Sequence, residues 1–190
     1  MILDVAYSFP LTGTTTKRIV DYINSFDKLI LYHGTTTKFK DRILSEGLKS
    51  RKHTGNSTWS GVRNNRNESL ESNLDLIYVG NLFKARHLGV EAPERYGGDL
   101  ILFKLLLDRN DLLPDEDSEE NDGIKSLASL GAAAIFDHIS PERIVGYSKD
   151  IPSVYGMSNR ISFSETRDIQ DEVFSITSES YRNISEVYGN

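Results

Sequence analysis

Apolar positions recur along the chain in short runs with two distinct spacings. Over 14–27, Ile19, Val20, Ile23 and Phe26 fall on one helical stripe behind a threonine cap. Over 29–32 the run is continuous and short, which predicts a buried strand. Phe39, Ile43 and Leu44 then return to helical spacing, with Gly47 where a C-terminal cap belongs. Periodicity vanishes over 49–73, where Asn, Ser, Gly and Arg dominate, and a long loop is expected. A strand is predicted over 74–80. A short helix follows over 81–89, capped by Asn81 and carrying Leu82, Ala85 and Leu88 on one side. The segment 99–108, DLILFKLLLD, is apolar at nearly every position and reads as a central strand covered on both faces. A helix over 124–131, then strand, turn and strand over 132–148, complete the core pattern. Farther on, Ile169, Val173 and Ile176 suggest one more helix in a polar tail.

Several short strands with small helices between them, without regular βαβ alternation, predict an α+β domain rather than a doubly wound sheet. The chain divides by character into a helical stretch 1–28, a core 29–148 and a polar stretch 149–190. Its 190 residues suit one domain with extensions. At 38% hydrophobic and 26% charged residues it can bury a core. The net charge of -6 argues against a wholly basic nucleic-acid binder. The absence of cysteine removes disulfides, thiolate metal sites and a cysteine nucleophile. No run reaches the roughly 20 apolar residues of a membrane span, and the N-terminal stretch lacks the basic flank of a signal peptide. The expectation is a cytoplasmic protein, or one delivered into a host cytoplasm, without a membrane partner.

Chemistry concentrates in KLILYHGTTT, residues 28–37. Here a histidine ends the apolar run, followed by glycine and three threonines. Glycine leaves its backbone N–H and C=O open to close approach, as a planar amide requires. Neutral His33 could donate to a sugar hydroxyl, and the threonines add hydroxyls. The alternative is a histidine satisfied by a nearby carbonyl, with the threonines capping the next helix. Tyr78, in LDLIYVG, could stack on a flat ring or serve the core. From 108 to 122 the chain holds eight acidic residues without the spacing of a calcium loop. The four histidines lack HExxH spacing, so no metal site is expected. Lys38, Lys40, Arg42, Lys49, Arg51, Lys52, Arg63 and Arg66 oppose only Asp41 and Glu46 over 38–66, which suggests an anion-binding loop. Trp59 offers a stacking partner there.

In series, YHGTT…ILSEGL, IYVGN…A, GGDLILFKLLLD and ISPERIVGY resemble the histidine–tyrosine branch of the ADP-ribosyltransferase fold. That branch includes poly(ADP-ribose) polymerases and diphtheria-toxin-like enzymes and, more distantly, RNA 2′-phosphotransferases. The likeness covers about 29–148. It implies a split, mostly antiparallel pair of sheets with small helices around an NAD cleft. It further implies that His33 holds a ribose of NAD, Gly34 pairs with the nicotinamide carboxamide, Thr35 assists, and Tyr78 stacks on the nicotinamide ring. NAD would be a co-substrate, with ADP-ribose passing to a macromolecular acceptor, protein or nucleic acid. In the basic loop, Arg51 or Lys52 could contact the pyrophosphate. The glutamate usual on a late strand of this branch has no counterpart in GAAAIFD, which leaves Asp137 and Glu142 as candidate catalytic carboxylates. Two alternatives stand beside this: a 2′-phosphotransferase-like enzyme, and an inactive NAD- or nucleic-acid-binding module using the basic loop 38–66.

Overall fold

The computed structural model describes residues 1–6, 15–56, 62–63, 69–70, 73–149, 151, 161–167, 169 and 173–175. In chain order the strands are β1 (Ile2–Asp4), β2 (Lys28–Thr36), β3 (Leu48–Lys49), β4 (Val62–Arg63), β5 (Ser69–Leu70), β6 (Leu76–Gly80), β7 (Leu100–Asp108), β8 (Ala132–Phe136), β9 (His138–Ile139), β10 (Ile144–Ser148), β11 (Ser164–Glu165) and β12 (Val173–Ser175). The helices are α1 (Thr15–Asn24), α2 (Lys40–Glu46), α3 (Arg51–Thr54), α4 (Leu82–Gly89), α5 (Ala92–Tyr96) and α6 (Gly123–Leu130). The architecture is mixed α+β, with a mostly antiparallel main sheet and small helices.

The fold is built on β2 and β7, which pair antiparallel over their whole length, from Lys28–Asp108 to Thr36–Leu100. Both read as apolar runs because both faces are covered. Leu29, Leu31, Phe103, Leu105 and Leu107 pack into one cluster with Ile19, Ile23 and Phe26 of the α1 region and Leu127 of α6. Ile30, Tyr32 and Leu102 point to the other face, against Ala85 of α4 and the partly buried Ile161 and Phe163. β10 and β11 extend the sheet beyond β7.

The other edge of β2 is divided. Its first third, Lys28–Ile30, pairs in parallel with β1. Farther on it meets β6 at one position, Tyr32–Gly80. β6 then runs off with β8 as a separate antiparallel pair, from Leu76–Phe136 to Gly80–Ala132. The main sheet therefore splits at β2.

Four expectations change. The strand expected over 29–32 extends to Thr36, because β7 supplies a partner throughout, so His33 lies within a strand and not at its end. The expected loop at 49–73 is ordered over 48–54 as β3 and α3, with the short β4–β5 hairpin following. The helix suggested by Ile169, Val173 and Ile176 gives way at Val173–Ser175 to β12, whose lateral pairing with the edge of β1 overrides the helical spacing; Ile176 lies outside the described residues. The stretch 1–28 supplies β1 besides its expected helix, and 149–190 supplies β11 and β12.

Helix α4 crosses β2 at backbone contact. A Cβ on Gly34 would sit 2.0 Å from the Ala85 carbonyl oxygen, and one on Gly89 would sit 2.5 Å from the Gly34 carbonyl carbon. The obstacles are backbone atoms, so no rotamer change relieves them. Gly34→Ala or Gly89→Ala should therefore destabilise the protein by about 1–3 kcal/mol, seen as a lowered urea midpoint at unchanged slope. A midpoint equal to wild type would refute the crossing.

Candidate active site

The split in the sheet opens a cleft of about 160 Å³. His33, Gly34 and Thr35 of β2 line one side and Leu76, Ile77 and Tyr78 of β6 the other. Phe39, Ile43, Gly47 and Ser50 from the α2–β3–α3 segment, with Leu88, Ala92 and Tyr96 from α4 and α5, close it. That segment is pinned by β3, whose Leu48 and Lys49 pair with Ile139 and His138 of β9, and by the Ser50 N–H, which donates to the Asp137 carbonyl at 2.8 Å.

His33 spans the split. Its Nδ1 lies 2.8 Å from the Tyr78 carbonyl oxygen. That oxygen can only accept, so Nδ1 carries the proton. Burial pushes the imidazole pKa below its ordinary 6.5 against the opposing pull of this bond, so the ring is neutral and Nε2 bears a lone pair. With Nδ1 committed to the Tyr78 carbonyl, the ring nitrogen left to a ligand is Nε2, which in this tautomer accepts, whereas the sequence suggested a donor. The alternative sequence account, a histidine satisfied by a neighbouring carbonyl, describes its other nitrogen.

Gly34 has two distinct environments. On the face a side chain would occupy, α4 fills the space, which is one reason for glycine here. Its polar groups follow from the register. The Thr37 N–H donates to the Asp99 carbonyl at 2.8 Å, one step beyond the Thr36–Leu100 pair. Bonded pairs alternate along an antiparallel ladder, so Thr35–Ile101 and His33–Phe103 carry the bonds to β7. The N–H and C=O of Gly34 point the other way, to the edge that β6 has left. The three threonines divide their work. Thr35 lines the cleft. Buried Thr36 donates to the Gly97 carbonyl through Oγ1, and Thr37 Oγ1 accepts from the Asp99 N–H at 2.9 Å.

Of the residues singled out from the sequence, His33, Gly34, Thr35, Arg51 and Tyr78 meet in this cleft. Asp137 and Glu142 do not line it. Asp137 sits at the β8–β9 turn with φ 63°, its carboxylate 2.6 Å from His53 Nε2. The His53 bond holds that carboxyl below its usual range. Glu142 accepts from the Ser140 hydroxyl on a short 3₁₀ turn, while Arg143 pairs with Asp108 and Asp111 instead. The basic window is largely folded. Lys40 lies over the Tyr147 ring, Lys49 pairs with Glu46 and Lys52 with Asp75. Arg42 lies over Phe39 and also lines the cleft. Trp59 and Arg66 lie outside the described residues, and Arg63 belongs to β4.

Two carboxylates escaped the sequence expectation. Glu46, at the end of α2, lines the cleft. Glu116, in the acidic stretch, lies beside the Tyr78 hydroxyl. The Asn73 N–H is shared between Tyr78 Oη at 3.1 Å and Glu116 Oε1 at 3.2 Å. Burial first, and then the Glu116 carboxylate, push the Tyr78 phenol pKa up, so the ring stays neutral. Glu46 lies within the ILSEGL segment, where its local signal was that of a helix end rather than of a cleft residue. Glu116 has no local signal, since its partner lies 38 positions earlier on another strand.

Among the described residues, no helix is long and apolar enough to cross a membrane. Comparison with protein-family models yields no match, and comparison with curated proteins yields none.

The neutral His33 has a thermodynamic consequence. Below pH 6.5 the unfolded chain takes up a proton on this ring that the native state refuses. The unfolded state then binds more protons, so stability falls as pH drops from 6.5 toward the lower native pKa. Wild-type stability should show this loss between pH 7 and pH 5, and His33→Gln should flatten it. The check is urea unfolding across that range. Equal slopes in both proteins would mean that His33 is not held neutral.

Proposed function

We propose that the protein is an NAD-dependent ADP-ribosyltransferase of the histidine–tyrosine branch, moving ADP-ribose to a macromolecular acceptor. The observation that carries this is the junction of His33 and Tyr78, 45 positions apart, across a cleft edged by the outward-facing backbone of Gly34. The mixed α+β architecture, with its mostly antiparallel sheet and small helices, is compatible with this reading.

The residues suit NAD piece by piece. A cavity near 150 Å³ takes up one aromatic ring, and this one measures about 160 Å³. Gly34 can donate its N–H to the carboxamide oxygen and accept from the carboxamide nitrogen, a pairing that reads a planar amide. His33 Nε2 can accept a ribose hydroxyl. Tyr78 offers its ring to the nicotinamide, and Arg51 and Arg42 supply positive charge for the pyrophosphate. Bound NAD supplies a glycosidic bond whose electron pair returns to the positively charged ring nitrogen as nicotinamide leaves. The anomeric carbon then takes a lone pair from the acceptor, whose proton passes to solvent. The protein's part is to hold the ring and ribose apart in orientation and to exclude water from the apolar wall of Phe39, Ile43 and Leu88.

The test is thermal unfolding with and without NAD. At about 100 times its dissociation constant NAD adds roughly 2.7 kcal/mol, which for a domain of this size raises Tm by about 5–10 °C. The wild type should show that rise. His33→Gln and Tyr78→Ala, compared with their own unliganded Tm, should not. A folded wild type without any rise would overturn the NAD assignment and favour the phosphotransferase or the binding module.

A further inference from the structure

Strand β8 carries Ala132, Ala133 and Ala134, and Ala134 lies directly opposite Tyr78 in the β6–β8 register. Across from Ala134 on its other side is Leu113, joined to it by two backbone bonds, Leu113 N–H to the Ala134 carbonyl at 2.8 Å and Ala134 N–H to the Leu113 carbonyl at 2.9 Å. Tyr78, Ala134 and Leu113 thus form a row across three chain segments. The chain then turns, and three residues later Glu116 returns to the tip of the Tyr78 side chain.

That return is held rigidly. Asp115 is buried. Its Oδ1 accepts the Asp117 N–H at 3.0 Å, its carbonyl accepts the Ser118 N–H at 2.9 Å, and its own N–H donates to Ser126 Oγ at 3.1 Å. Ser126 Oγ in turn donates to the Ala132 carbonyl at 2.8 Å. The first half of the acidic stretch is therefore stitched to α6 and β8, with Glu116 sharing the Asn73 N–H with the Tyr78 hydroxyl. The two acceptors, Glu116 Oε1 at 3.2 Å and Tyr78 Oη at 3.1 Å from that nitrogen, place the carboxylate beside the phenol.

We propose, resting on the NAD assignment above, that Glu116 is the positioning carboxylate of the cleft, acting through the Tyr78 hydroxyl to set the ring against which the substrate's flat group lies. Ala134 is opposite Tyr78 on β8 and carries no carboxylate, and the neighbouring segment brings one from outside β8. The alternative is a purely structural Glu116 that accepts the Asn73 N–H and nothing more.

Four proteins separate the two: wild type, Glu116→Ala, Tyr78→Phe and the double variant. Each is measured for Tm, for nicotinamide released from NAD with water as acceptor, and for the Tyr78 resonance in ¹³C-tyrosine-labelled protein, assigned by its disappearance in Tyr78→Phe. Glu116 is solvent-exposed, so Glu116→Ala should fold. Its Tyr78 resonance should move and kcat/KM for nicotinamide release should fall at least tenfold. The double variant should be no slower than Tyr78→Phe, because both changes cut the same link. Glu116→Gln keeps an oxygen acceptor and should recover part of the loss. An unmoved Tyr78 resonance, or a loss in Glu116→Ala that persists undiminished in the Tyr78→Phe background, would overturn the proposal. So would unchanged turnover beside a lowered Tm, which would leave Glu116 structural. A wild type that neither gains stability with NAD nor releases nicotinamide would instead sink the NAD assignment. The resonance would still decide whether Glu116 grips Tyr78.

Discussion

The organisation of this protein depends on the parting of two strands. β6 meets β2 at Tyr32–Gly80 and then leaves it. A sheet edge with unpaired polar groups is normally a liability that a fold covers or blunts. Here one side of the gap is bridged by a side chain, since His33 Nδ1 donates to the Tyr78 carbonyl. The imidazole thereby bridges the two strands and fixes its own tautomer, at a position that lines the cleft. The alternation imposed by the uninterrupted β2–β7 ladder turns the amide groups of Gly34 to the same opening. A long, strong pairing on one edge and an early parting on the other generate a polar slot in the middle of an otherwise apolar strand.

The same strand must tolerate a helix on one face. Gly34 and Gly89 let α4 approach β2 at backbone distance, so the glycine after the histidine answers to packing and to polarity at once. Either demand alone would select glycine, and neither is separable in the sequence. The threonines show a similar economy. Thr36 and Thr37 hold the Gly97–Asp99 turn that starts β7, and their hydroxyls keep the end of β2 in register with it. Register errors would move every side chain to the wrong face, so these two anchors protect the placement of His33 as much as that of the core.

Much of the fold was legible because its signals are local. The β7 run, the Asn81 cap of α4 and the Gly47 cap of α2 each depend on neighbours within a turn or a few strand residues, and each stands where the pattern put it. His33 and Tyr78 could be singled out because each follows a distinctive apolar run. What was not legible depends on lateral neighbours. The extent of β2 is set by β7, sixty-odd positions away. Val173–Ser175 is a strand because the edge of β1 is available to it. The alanines of β8 read as a missing carboxylate; in the fold Ala134 is opposite Tyr78 and Leu113, Ala133 packs into the main core and Ala132 pairs with Gly80. The acidic stretch read as solvated, yet Asp115 is buried within it and desolvation raises its carboxyl pKa.

Charge shows the limit of linear reading most clearly. A count over 38–66 suggests a cationic loop suited to a polyanion. Folding brings Asp75 and Asp137 against the same window, where they meet Lys52 and His53, and Lys49 is taken up by Glu46. Exposed pairs of this kind contribute little to stability, but they lower the field that an approaching polymer feels. Among the described residues, Arg42, Lys49 and Arg51 line the cleft together with Glu46, Phe39, Ile43 and Leu88. A nucleic-acid surface spreads its cations along a face so that each meets a phosphate. Here the cations of the cleft are gathered, with Glu46 among them, around one concave and largely apolar pocket. This distribution of charge favours a small-molecule cleft over an extended polyanion surface.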